Sequence, residues 1–181
     1  ERIRILRKAA DIIDENAEEF AVIIAKEGSK TIGEARKEVY RAAQTMTISA
    51  EEARRINGET IPFDTNVGSE NRHGYYFRFP IGIIAAITPF NDPLNLVAHK
   101  LGPAIAGGNS VVLKPATVTP LSALKLCEAL MGQDLMGYHP DSQFTASDTT
   151  SDERAIVSLV IIASWSQRSD TPKNIWRSRS G

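Results

Sequence analysis

The stretch IGIIAAITPFNDPLNLVAHKLGPAIAGGNSVVLKP, residues 81–115, decides the fold. It opens on a short, unbroken apolar run, IGIIAAI, of the kind that forms a strand buried on both faces. PLNLVAHKLGPAIAGG then reads as a helix. Asp92 suits its N-cap, Pro93 its first turn and Gly107-Gly108 its stop. Pro103 inside it predicts a kink or a new segment. SVVLK, residues 110–114, predicts a second buried strand. PATVTPLSALKLCEAL gives a turn and a third helix, opened by Thr119-Pro120 and packed through Leu121, Leu124, Cys127, Ala129 and Leu130. Strand, helix, strand, helix over residues 81–131 is a βαβα unit. Its sheet is parallel and its crossover right-handed. The fold class is therefore α/β.

Upstream, residues 1–56 predict a helical hairpin. Apolar positions at Ile3, Leu6, Ala10, Ile13, Ala17, Phe20 and Ile24 step by three and four, so residues 1–27 read as one amphipathic helix ended at Gly28. A second pattern runs from about residue 33 to 55 through Ala35, Val39, Ala42, Ala43, Met46 and Ala53. Residues 57–80 carry turn signals at Asn57-Gly58 and Gly68-Ser69, and YYFRF has high strand propensity, which predicts a strand pair. Residues 132–181 are rich in Ser, Thr, Asp and Arg around one apolar island, AIVSLVIIASW, and predict a largely irregular tail.

The composition narrows the function classes. A net charge of −1 over 181 residues leaves no basic excess for nucleic acid. One cysteine, Cys127, excludes an internal disulfide framework and suggests a reducing compartment. No apolar run approaches a membrane span, and the charged N-terminus has no signal-peptide core. A cytoplasmic location is the expectation. His73 and His139 have no acidic or thiol neighbours at ligand spacing, and His99 lies within the helix pattern, so no metal site is expected. Cys127 falls on an apolar stripe and reads as packing.

ITPFNDP places Asn91 between two prolines at the carboxyl edge of the first strand, beside a helix start. In a parallel sheet ligands gather at that edge, and a pinned amide N–H2 there suits a developing oxyanion. An asparagine that merely caps the helix is the competing reading. Lys114 ends the second strand at the same edge and can reach ribose hydroxyls or a phosphate; a plain surface lysine is the alternative.

RFPIGIIAAITPFNDPLNLVAHKLGPAIAGGNSVVLKPATVTPLSALKLCEAL closely resembles the aldehyde dehydrogenase superfamily. The pattern P-x-G-x-x-x-x-I-x-P-[FW]-N-x-P followed by G-N-x-V-[VI]-x-K-P-[AS]-x-x-[TS]-P is long and specific. EGSKTIGEARKEV extends the likeness upstream, so that it covers about residues 1–131. The resemblance implies a partial Rossmann-like fold and oxidation of an aldehyde to an acid with NAD or NADP. It implies that Asn91 donates to the substrate oxyanion, that Ile87, Thr88, Pro89 and Phe90 line the nicotinamide side, and that Lys114, Ala116 and Thr117 meet the adenosine ribose. Thr117 stands where NAD-preferring members often carry glutamate, which makes NADP permissible. It further implies a small-molecule aldehyde substrate and a homo-oligomer with contacts in residues 57–80.

The departures are as informative. The family's G-S-[TV]-x-x-G turn, its E-L-G-G glutamate and its nucleophilic cysteine are absent from the 181 residues. The chain by itself is expected to be an inactive fragment, with a non-catalytic dinucleotide-binding or subunit-interaction module as the alternative. The tail's composition suits a shifted reading frame or a fusion.

Overall fold

The computed structural model describes residues 1–131. The predicted tail, its apolar island and His139 lie outside the described residues. Helices α1 (Arg2–Glu15), α2 (Ala17–Glu27) and α3 (Ile32–Glu52) come first. An antiparallel pair follows, β1 (Glu59–Pro62) and β2 (His73–Tyr76). Then come β3 (Ile83–Ile87), α4 (Asn95–Ala106), β4 (Ser110–Lys114) and α5 (Leu121–Met131), with β3 and β4 parallel.

The first helix is broken where the periodicity predicts continuity. Asn16 donates both its backbone N–H and its side-chain amide to the Ile12 carbonyl, at 3.2 and 2.8 Å. That local competition for a helical acceptor ends α1, and α2 restarts one residue later. The apolar stripe nevertheless stays in phase, with Leu6, Ala10, Ile13, Phe20 and Ile24 all buried. α2 stops at Gly28 as the sequence predicts. Thr31 and Glu34 form a reciprocal capping box that fixes the start of α3.

α4 runs through Pro103 without breaking, because the ring lies on the solvent side and only one intrahelical bond is lost. Its end follows from Gly107-Gly108. Gly108 adopts φ +80, its N–H donates to Ile105 O, and the Asn109 N–H donates to Ala104 O. This is a Schellman closure. The Asn109 side-chain Oδ1 then accepts from the Ile81 and Gly82 N–H groups and so joins the helix end to the start of β3.

The sheet is covered on one face. Ile84 pairs with Val111 and Ala86 with Leu113, and Ala86, Val111 and Leu113 are buried in the helical core. The opposite face carries Ile83, Ala85 and Ile87, with Ile83 75% and Ile87 67% exposed. The expectation of a strand buried on both faces is therefore corrected. Among the described residues every helix that packs on the sheet or on its neighbours shares one core, so the outer face has no layer over it. The α/β class and the parallel βαβα unit are as the sequence predicts.

Candidate active-site edge

The carboxyl edge of β3 is built from tethers placed on either side of Asn91. The Thr88 N–H continues the ladder to Lys114 O at 3.2 Å, and Thr88 is buried. The Thr119 hydroxyl donates to Phe90 O at 3.5 Å, which ties the β4–α5 loop to the motif. The Leu96 N–H donates to Asp92 O at 2.9 Å, so helical winding begins at Asp92. The Asp92 carboxylate does not cap the helix, contrary to the sequence reading. It pairs with Lys30, and with Arg41 at 3.2 Å.

The cap comes instead from α3. One carboxylate oxygen of Glu38 accepts from the backbone N–H groups of Leu94 and Asn95, at 2.8 and 3.1 Å. The other accepts from Lys30 Nζ at 2.5 Å. Glu38 is fully buried, and an unpaired charge there would cost about 3–5 kcal/mol. Its three donors explain why it is tolerated. Burial alone would depress the Lys30 ammonium; its hydrogen bonds to Asp92 and Glu38 outweigh that and hold it above its ordinary value. The same device starts the next helix. The Glu27 carboxylate accepts from Leu121 N–H at 2.6 Å and from Ser122 N–H at 3.1 Å, at the start of α5.

Asn91 itself is exposed, and its side-chain amide has no partner among the described residues. It opens into a groove of about 350 Å³ lined in part by Glu27, Ser29, Phe90, Val118 and Thr119. Lys30 and Glu34 also line it, and they equally border a second groove of about 720 Å³ flanked by Lys37, Tyr40 and Arg41. Lys114 does not line the Asn91 groove. It pairs with Ile87 across the strands, half-buried, and donates to Pro115 O at 3.3 Å. Pro89, Phe90 and Thr117 are exposed, and Ala116 is half-buried. The structure thus brings Ile87 and Lys114 together and sets Asn91 in a separate recess.

Cys127 is buried, and burial pushes its thiol far above the usual range, so it is not a nucleophile. Among the described residues no cluster of His, Cys, Asp and Glu could hold a metal, and no helix is long and apolar enough to cross a membrane. Sequence reasoning missed Glu38, Lys30 and Glu27. The signal for Glu38 was present: it lies on the buried side of α3 with Ala35, Val39 and Ala42, where a carboxylate needs a partner.

Fold, edge loop and sequence agree on one class: residues 1–135 match the aldehyde dehydrogenase family, and the chain belongs to it. It is 59% identical over 130 residues to the 3-sulfolactaldehyde dehydrogenase of Priestia aryabhattai, covering 72% of this chain and 27% of that protein. It is 52% identical over 162 residues to the aldehyde-dehydrogenase-like protein y4uC of Sinorhizobium fredii, covering 90% of this chain and 30% of that one. That alignment is longer than the described segment and so continues past Met131. The crystal structure of glyceraldehyde-3-phosphate dehydrogenase GapN from Methanocaldococcus jannaschii, complexed with NADP, superposes with a TM-score of 0.67 at 40% identity. It covers 74% of this chain and 28% of that one. The chain thus spans under a third of the length of these relatives.

Proposed function

We propose that this chain is the N-terminal coenzyme-side segment of an NAD(P)-dependent aldehyde dehydrogenase whose substrate carries an anionic group. The observation that carries the reading is the amide of Asn91, which has no partner among the described residues. It is held from both sides, presented to solvent, and opens into a recess that shares Lys30 and Glu34 with a groove lined by Arg36, Lys37, Tyr40, Arg41 and Asp92. Asn91 donates N–H to the oxygen on which negative charge develops. Lys37 and Arg41, with Tyr40 between them, face the charged end of the substrate. Similarity to enzymes of 3-sulfolactaldehyde and glyceraldehyde 3-phosphate supports that choice, since both substrates are short aldehydes bearing an anion.

The residues present fit the adenosine end of a dinucleotide. Ile87 and Lys114 share the exposed sheet face, and the Lys114 ammonium keeps donors beyond its bond to Pro115. Lys114, Ala116 and Thr117 hold the ribose, while Ile87, Thr88, Pro89 and Phe90 border the nicotinamide side. Neither α4 nor α5 offers its N-terminus to the pyrophosphate, because Glu38 and Glu27 already fill those positions. The coenzyme, when bound, supplies the hydride acceptor. This chain supplies binding and the oxyanion donor but no reactive thiol, since its single cysteine is Cys127.

We place the protein in the cytoplasm, as a homo-oligomer. The aromatic surface of residues 75–79 supports the assembly and also the alternative of a subunit-interaction module: Tyr75 is 69%, Phe77 66% and Phe79 79% exposed. Coenzyme titration separates the readings. Binding of the 181-residue chain to NADPH, followed by nicotinamide fluorescence, should weaken at least tenfold in Lys114→Met. A short sulfonated or phosphorylated carboxylic acid should shift the NMR signals of Lys37 and Arg41, and an uncharged analogue should not. No coenzyme binding together with concentration-dependent self-association would favour the interaction module. Turnover of any aldehyde by the chain alone would overturn the prediction of inactivity.

A further inference from the structure

The geometry points to Glu38 as the positioning residue of the Asn91 loop, with Lys30 as its coupling partner, an inference that rests on the oxyanion role proposed above. Three facts converge on it. Glu38 is the one fully buried carboxylate among the described residues, and all its partners lie at the start of α4 or in the α2–α3 link. Its acceptor oxygen binds Leu94 and Asn95, the third and fourth residues after Asn91. Lys30 bridges Glu38 to the Asp92 carboxylate, next to Asn91 in sequence.

The consequence is geometric. Among the described residues Asn91 has no side-chain bond of its own to fix it, so its direction is set by its flanks. On the preceding side Thr119 holds Phe90. On the following side the Glu38–Lys30–Asp92 chain pins α3 to the first turn of α4. A shift of about 1 Å in a positioned catalytic group is enough to cost about 10²-fold in rate. The coupling therefore makes α3, which lines the second groove, the ruler for Asn91.

The test is amide hydrogen exchange and NMR on the full chain, with no coenzyme or aldehyde present, so its outcome is independent of whether Asn91 acts on an oxyanion. In Glu38→Ala, protection of Leu94 and Asn95 should fall at least tenfold, and the backbone amide signals of Asn91 and Asp92 should move toward random-coil values. Amides of α1 around Ile13 should keep their protection. The double variant K30M/E38Q keeps a carbonyl acceptor for Leu94 and Asn95 but removes the bridge to Asp92, so it should retain their protection within about threefold while the Asn91 signals stay displaced. Uniform loss across α1, α3 and α4 would mark Glu38 as a merely structural residue and overturn the proposal. Unchanged Asn91 signals in Glu38→Ala, or in K30M/E38Q, would overturn it too.

Discussion

Gly102→Ala sets two forces against each other at the crossing of α3 and α4. In an isolated helix, alanine in place of glycine stabilises by about 1 kcal/mol. In this fold, a Cβ at position 102 would lie 2.4 Å from Ser49 Oγ and 3.0 Å from Ser49 Cβ. The hydroxyl cannot simply turn away without giving up its hydrogen bond to Thr45 O at 2.7 Å. The Ser49 Cβ is fixed to α3, so relief requires the helices to part. Overpacking of this kind costs about 1–3 kcal/mol, which leaves a net loss of about 1 kcal/mol after the propensity gain. For a domain of this size that is a fall of about 3–4 °C in midpoint temperature. Thermal and urea melts followed by circular dichroism measure it. Adding Ser49→Ala should recover part of the loss, since it removes the nearer of the two contacts. A Gly102→Ala variant that melts at or above the parent temperature would show that the α3–α4 packing is looser than the structure has it.

Other outcomes follow from individual contacts. Glu27→Ala removes the acceptor of two N–H groups at the start of α5 and should cost about 1–2 kcal/mol in urea unfolding, with exchange at Leu121 and Ser122 accelerated first. Cys127 should resist thiol reagents in the native state and react only at the rate of unfolding, because it is buried and its thiol is pushed up by desolvation; rapid native labelling would contradict that. The Glu34 carboxyl is held below its ordinary 4.5 by the Thr31 backbone N–H and then by the Thr31 hydroxyl. A folded value below the unfolded one means that its contribution is present at neutral pH and is lost as pH falls through the folded value. Glu34→Gln should flatten that acid limb of the stability profile, and an unchanged limb would count against the capping box.

The order of elements was legible in the sequence because the signals that set it are local. Ile83–Ile87 and Ser110–Lys114 are short β-branched runs, and glycine at 108 supplies the left-handed residue that a helix stop requires. Apolar steps of three and four marked the faces of α1, α2 and α3 that became the core. The same locality explains the misses. Asn16 looked like one polar residue on a helix, yet its side chain competes for the Ile12 carbonyl. Asp92 looked like a cap by spacing, yet two cations from other elements claim its carboxylate.

By itself the sequence determined the βαβα unit, the apolar faces of the helices before it and the presence of an asparagine clamped between prolines at a strand edge. Only the tertiary structure decided what holds that asparagine. Glu38 reaches the start of α4 from 56 positions away, and Glu27 reaches α5 from 94. Such pairings leave no periodic trace in a sequence, because a buried carboxylate binds whichever N–H groups the packed helices bring to it, and that meeting exists only once the chain has folded.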